Sequence, residues 1–278
     1  MKVSILGCGT MGRGIAQVFA TYGNDVVAYD SFEGALKKAP AEISNSLERL
    51  AKKDPSKFNK NEILPRIKFS ANIGDISGSD LVIEAVFERL EEKLNILRRA
   101  SDLLDETCII ATNTSSISIN KLASAVKNPT RFLGMHFFNP VPVMKLVELV
   151  RGEHTDQKIL DRAYSIAESL EKSPVVSKDF PGFISNRILM PLIREAIAVY
   201  EDGIASPQDI DKTFHLGMNH PMGPLELADF VGLDVVYDVL KVLYDEYGEP
   251  RFKPPITLRN MVNAGKLGRK SGEGFYKY

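Results

Sequence analysis

The sequence predicts a doubly wound α/β domain followed by a smaller all-helical domain. Three observations carry this. Short apolar runs alternate with longer stretches of helical periodicity through the first half, as in a parallel sheet covered on both faces. A glycine-rich turn, Gly7-Cys8-Gly9-Thr10-Met11-Gly12, separates the first apolar run from the first helical stretch. Beyond Lys178-Asp179-Phe180-Pro181-Gly182, a polar segment ending in Pro-Gly, the pattern is helical throughout. The domains are therefore expected at residues 1–181 and 182–278.

The elements follow in order. Val3 to Leu6 reads as a buried strand, and Gly14 to Tyr22 as a helix with Ile15, Val18 and Phe19 at helical spacing. Asp25 to Tyr29 is a second strand, and Phe32 to about Lys53 a long helix polar on one face. Strands are expected at Arg66–Ser70, Leu81–Val86 and Thr107–Ala111, with a charged helix at about Arg89–Leu104 between the last two. Phe132–Phe138 and Met144–Val150 are strand-like, joined by a short Pro-containing connection that suits a hairpin. A helix at Asp156–Leu170 and a short strand near Val175 complete the first domain. In the second, Ile184 to Tyr200 forms a helix apolar on most of its circumference, which predicts burial on all sides. Pro191 should kink or break it.

Composition narrows the function. The 278 residues are 44% apolar and 26% charged, so the chain can bury real cores and is not a low-complexity scaffold. Lys plus Arg is 35 and Asp plus Glu 36, so the basic excess of a nucleic-acid binder is missing. Cys8 and Cys108 are the only cysteines, which suits a reducing compartment better than a disulfide framework. No apolar run approaches the roughly 18 residues of a membrane span. The apolar run from Val3 leaves no room for a targeting segment, so a cytoplasmic location is expected. There is no Cys-x-x-Cys, and the four histidines have no common metal-ligand spacing, so no metal is expected.

The glycine turn has a physical task at each position. Gly7 permits the tight turn, Gly9 lets backbone approach a pyrophosphate, and Gly12 lets helix and strand pack closely. Thr10 and Met11 lie where a helix amino terminus offers unpaired N–H groups to phosphate. Asp30 ends the second strand and can accept both hydroxyls of an adenosine ribose. A carboxylate there repels a 2′-phosphate, and neighbouring Ser31 and Phe32 supply no Arg to bind one. NAD is expected over NADP.

Oxidation of an alcohol by NAD needs a general base, and His is best suited at neutral pH. His154, His215 and His220 fall near loops, whereas His136 lies in an apolar strand and must have a partner. Glu148 is the only acid in the neighbouring apolar strand. A carboxylate fixes the tautomer of a paired histidine and favours the imidazolium. From pattern alone such a pair serves structure as readily as catalysis.

Gly7-x-Gly9-x-Met11-Gly12-x-Gly14-Ile15-Ala16, Asn113-Thr114-Ser115-Ser116 and His136-Phe137-Phe138-Asn139-Pro140 appear in that order. Pro181-Gly182-Phe183-x-x-Asn186-Arg187 and Gly272-x-Gly274-Phe275-Tyr276 follow. Over essentially its whole length the chain thereby resembles the L-3-hydroxyacyl-CoA dehydrogenases, including the short bacterial 3-hydroxybutyryl-CoA enzymes. The resemblance implies a Rossmann-type NAD-binding domain and a helical domain for substrate and dimerisation. It implies that His136 is the catalytic base and Glu148 its orienting acid. Ser115 would bind substrate beside the nicotinamide, and Asn186 would steady the substrate oxygen. Asp30, Glu88, Lys93, Asn113, Ser115, Asn139 and Lys270 would contact the cofactor together with the glycine turn. Ser46, Lys53 and Ser115 would contact coenzyme A; the first two are seven apart on the expected second helix, hence on one face.

The expected reaction is reversible oxidation of a (3S)-3-hydroxyacyl-CoA, in a cleft between the domains. Two alternatives stand beside it: a dehydrogenase of a free hydroxy or sugar acid on the same scaffold, and a crystallin-like structural protein. The apolar helix from Ile184 is too large for so small a domain to cover, so a homodimer is expected through the helical part.

Overall fold

A computed structural model describes all 278 residues. The chain divides into two compact units, Met1–Phe180 and Pro181–Tyr278.

The first unit alternates strands and helices. In order it forms β1 (Lys2–Leu6), α1 (Thr10–Thr21), β2 (Asp25–Tyr29), α2 (Glu33–Ala51), α3 (Lys60–Ile63) and β3 (Ile67–Ser70). Then come β4 (Leu81–Glu84), α4 (Leu90–Ser101), β5 (Ile109–Thr112), α5 (Ile119–Ala123) and β6 (Phe132–Phe137). β7 (Leu146–Arg151), α6 (Gln157–Ser169) and β8 (Ser173–Lys178) close it. The eight strands make one sheet in the order β3-β2-β1-β4-β5-β6-β7-β8. All neighbours are parallel except β6 and β7. Strand order reverses between β1 and β4, which opens a crevice at the carboxyl ends of the strands. Because β7 runs against β6, the 138–145 turn and the start of β7 fall on that same edge. Val3, Ile5, Leu81, Ile83, Ile109 and Ala111 are fully buried, as strands covered on both faces require.

The second unit is helical: α7 (Ser185–Glu201), α8 (Pro207–Gly217), α9 (Pro224–Val231), α10 (Leu233–Tyr247) and α11 (Ile256–Asn263). Its core gathers Ile193, Ile197, Leu225, Leu233, Leu240, Leu243, Phe252 and Leu258.

Three expectations need correction. α1 begins at Thr10 rather than Gly14, so Thr10 and Met11 belong to its first turn. α7 runs unbroken through Pro191. α2 stops at Ala51, so Lys53 lies in the following turn and does not share a helix face with Ser46. The chain turns there, with the amides of Lys53 and Asp54 both donating to the Leu50 carbonyl ahead of Pro55. Asp54 accepts hydrogen bonds from Ser56 and Lys57.

Candidate active site

The glycine turn is built as its sequence demands. Gly7 has φ +109, and a Cβ there would lie 2.6 Å from the Ala85 carbonyl oxygen. A Cβ on Gly12 would lie 1.8 Å from the Gly7 carbonyl oxygen. A Cβ on Gly9 would meet nothing within 4 Å. That open space lies at the N-cap of α1, where no side chain caps the helix. Asp30 braces the turn from β2: its Oδ2 accepts from the Cys8 amide at 2.7 Å and its Oδ1 from the Phe32 amide at 2.8 Å. A cavity of about 510 Å³ opens here, lined by Gly7, Gly9, Met11, Asp30, Phe32 and Val86 among others. Uncapped helix amides, a glycine with room beside it and a carboxylate at the end of β2 fit a dinucleotide. Cys8 takes no part: burial, with Asp30 nearby, pushes its thiol up to about 12.

A second cluster follows β4 and β5. Glu84 is fully buried and accepts from Lys93 Nζ at 2.7 Å, Thr112 Oγ1 at 2.6 Å and the Val86 amide at 2.7 Å. Lys93, 1% exposed, also pairs with Glu88 at 3.1 Å. Glu88 accepts from the Thr114 hydroxyl and from the amides of Ser115 at 2.9 Å and Ser116 at 3.3 Å. Burial pushes the Glu88 carboxyl up, but Lys93, Thr114 and Ser115 outweigh it and hold it below its ordinary range. Glu88 thus anchors the Ser115 loop, with Lys93 as the buried bridge behind it. Asn113 joins this loop to β6, its Oδ1 accepting from the Phe137 amide at 2.8 Å. Sequence reasoning missed Glu84, although a lone acid in the apolar run Leu81–Val86 is the same signal that singled out Glu148.

The third cluster joins β6 to β7. His136 and Glu148 face one another in the antiparallel register, and His136 Nδ1 lies 2.8 Å from Glu148 Oε2. Both are buried, at 6% and 1% exposure. An ionised carboxylate only accepts, so a hydrogen bond to ionised Glu148 requires the proton on Nδ1. The His136 ring also lies 4.5 Å from that of Phe138. Asn139 follows β6 and is exposed at the start of the turn, before a cis bond to Pro140.

The remaining candidates are more scattered. Ser46 is half-buried on α2 and Lys53 exposed beyond it. In the second unit, Asn186 occupies the second position of α7, and Lys270 forms an exposed ion pair with Asp234.

The 3-hydroxyacyl-CoA dehydrogenase NAD-binding domain model matches residues 2–180, and the C-terminal domain model of that name matches 182–278. The chain belongs to the 3-hydroxyacyl-CoA dehydrogenase family. It is therefore an NAD-dependent oxidoreductase, and the glycine turn and Asp30 lie within its matched NAD-binding domain. Among relatives of this dehydrogenase, a 3-hydroxybutyryl-CoA dehydrogenase of Clostridioides difficile is 44% identical, over 100% of this chain and 99% of its own. A probable 3-hydroxybutyryl-CoA dehydrogenase of Deinococcus radiodurans is 46% identical over 100% of both. The structure of (S)-3-hydroxybutyryl-CoA dehydrogenase from Ralstonia eutropha superposes with a TM-score of 0.95 at 47% identity, covering 100% of this chain and 98% of that one. M. tuberculosis FadB2 gives 0.96 at 41%, covering 99% and 98%.

Proposed function

We propose that this dehydrogenase catalyses the reversible oxidation of short-chain (3S)-3-hydroxyacyl-CoA, such as 3-hydroxybutyryl-CoA, to the 3-oxoacyl-CoA. The carrying observation is the buried His136–Glu148 pair, 2.8 Å apart at the strand edge that also holds the glycine turn. Bound NAD supplies the hydride acceptor. His136 Nε2 takes the proton of the 3-hydroxyl, and Glu148, bonded at Nδ1, stabilises the imidazolium that results. In the reverse direction His136 returns the proton. Ser115, held by Glu88, and Asn186 donate to the substrate oxygen as negative charge gathers there. Asp30 takes the adenosine ribose; Glu88, Lys93, Asn113, Asn139 and Lys270 complete the cofactor's surroundings. Ser46 and Lys53 belong to the coenzyme A side on this reading.

The names of the full-length relatives support the substrate class. The test is oxidation of NADH, followed by absorbance, with acetoacetyl-CoA. Turnover requiring the thioester supports the reading; activity only with free 3-oxo acids, or none at all, overturns it.

The same reading includes a homodimer through the second unit. Ile188 is 65%, Ile204 70% and Leu216 77% exposed in the single chain. Sedimentation at twice the chain mass of 30.8 kDa is the expected result, and a stable monomer overturns it.

A further inference from the structure

We propose that Lys172 is a positioning residue for the His136–Glu148 pair, holding the turn that joins their strands. The inference rests on the function proposed above. Only one register step, Phe137↔Val147, separates the pair from the turn. A slip of one residue there would carry Glu148 to the opposite face of the sheet. The turn has few bonds of its own: the amides of Val143 and Met144 both donate to the Pro140 carbonyl. Lys172 ties the rest. Its Nζ donates to the carbonyls of Val141 at 2.6 Å and Met144 at 2.8 Å, bridging the turn. The side chain arrives from a fixed base, between the end of α6 and the start of β8. There the Lys172 amide donates to Ala167 and the Ser173 amide to Lys145. On the far side Val141 is buried against α1, close enough that a Cβ on Gly14 would lie 2.9 Å from its Cβ.

Burying a lysine is costly, and apolar packing alone would favour a hydrocarbon here. Lys172 is only 8% exposed, and both hydrogen bonds of its Nζ go to this turn. The charges beside it are Lys57 and Glu171, which pair with each other, and Lys145 lines the same small cavity.

The test compares wild type, Lys172→Met and Lys172→Arg. With NADH and acetoacetyl-CoA, Lys172→Met should lose about tenfold or more in kcat while its Kd for NADH changes less than about twofold. Lys172→Arg should recover much of the loss. Nitrogen-edited NMR should show the His136 Nδ1 proton exchanging faster with water in Lys172→Met and slower again in Lys172→Arg. Unchanged exchange and kcat in a folded Lys172→Met overturn the inference. An inactive wild type overturns the function above instead, and the exchange measurement still decides the role of Lys172.

Discussion

His136 and Glu148 sit directly opposite one another on the only antiparallel pair of strands in the sheet, with Nδ1 2.8 Å from the carboxylate. Antiparallel pairing puts facing side chains on the same side of a sheet. The reversal of β7 therefore delivers an acid to a histidine at the carboxyl edge. His136→Gln should retain NAD binding and lose orders of magnitude in kcat, as removal of a general base does. Glu148→Gln should lose less and shift the pH dependence of kcat/KM. Steady-state kinetics across pH check both; near wild-type turnover in His136→Gln would remove it from the mechanism.

The last two glycines of the turn, Gly9 and Gly12, should separate by readout. Gly12→Ala drives a methyl to 1.8 Å from a backbone oxygen, and overpacking of that severity costs about 3 kcal/mol or more. Its Tm should fall sharply. Gly9→Ala meets nothing within 4 Å and has an ordinary φ of -68, so its Tm should hardly move. Its KM for NAD should rise about tenfold or more, because the methyl fills space meant for the pyrophosphate. Calorimetry with cofactor titration distinguishes them.

Asp30 should matter twice. It faces the cavity, and it also accepts the Cys8 and Phe32 amides. Wild type should prefer NAD over NADP in kcat/KM. Asp30→Ala should raise KM for NAD and lower Tm together, since removing an acceptor leaves amides without partners. A variant with unchanged Tm would show that the brace is dispensable.

These contrasts mark what the sequence made legible. Periodicity located every strand of the sheet; β1, β4 and β5, buried on both faces, are nearly pure apolar runs, whereas β8 is largely exposed. The pairing of His136 with Glu148 was readable because His136 is the lone titratable side chain in its run and Glu148 the lone acid in its own. Lys93 was not: it lies among Glu88, Glu91 and Glu92, and nothing local reveals that it turns inward to Glu84. Lys172 was hidden for the same reason, since its partners are carbonyls about thirty residues away and carry no side-chain signature. The end of α2 was missed because the helical pattern was read through to Lys53, one residue before Asp54-Pro55.

Lys93 and Lys270 offer a matched comparison. Lys93→Met leaves the fully buried Glu84 without its cation, which costs roughly 3–5 kcal/mol. Lys270→Met breaks an exposed pair with Asp234 and should cost about 1 kcal/mol or less. Urea unfolding at neutral pH measures both. The acid side adds a check on Glu88, whose carboxyl is held below its ordinary 4.5 in the fold. Its contribution is present above that value and is lost as pH falls through its folded one, so Glu88→Gln should flatten that part of the stability curve.

Lys172 titrates on the alkaline side with the opposite sense. Burial, with Lys57 adding repulsion, pushes its pKa down from 10.5 to about 8. Below about 8 both folded and unfolded chains hold the proton, and the fold bears the cost of a buried charge. Between about 8 and 10.5 the unfolded chain binds the proton that the folded chain has released, so stability rises with pH. Above 10.5 the contribution is level. A neutral amine keeps two N–H bonds, enough for the Val141 and Met144 carbonyls, so deprotonation need not free the turn. The difference in unfolding free energy between wild type and Lys172→Met should therefore grow in favour of wild type from pH 8 to 10.5. Urea titrations across that window measure it, with changes common to both proteins cancelling. A constant difference would mean that Lys172 keeps its ordinary affinity for the proton and that its burial is relieved by solvent.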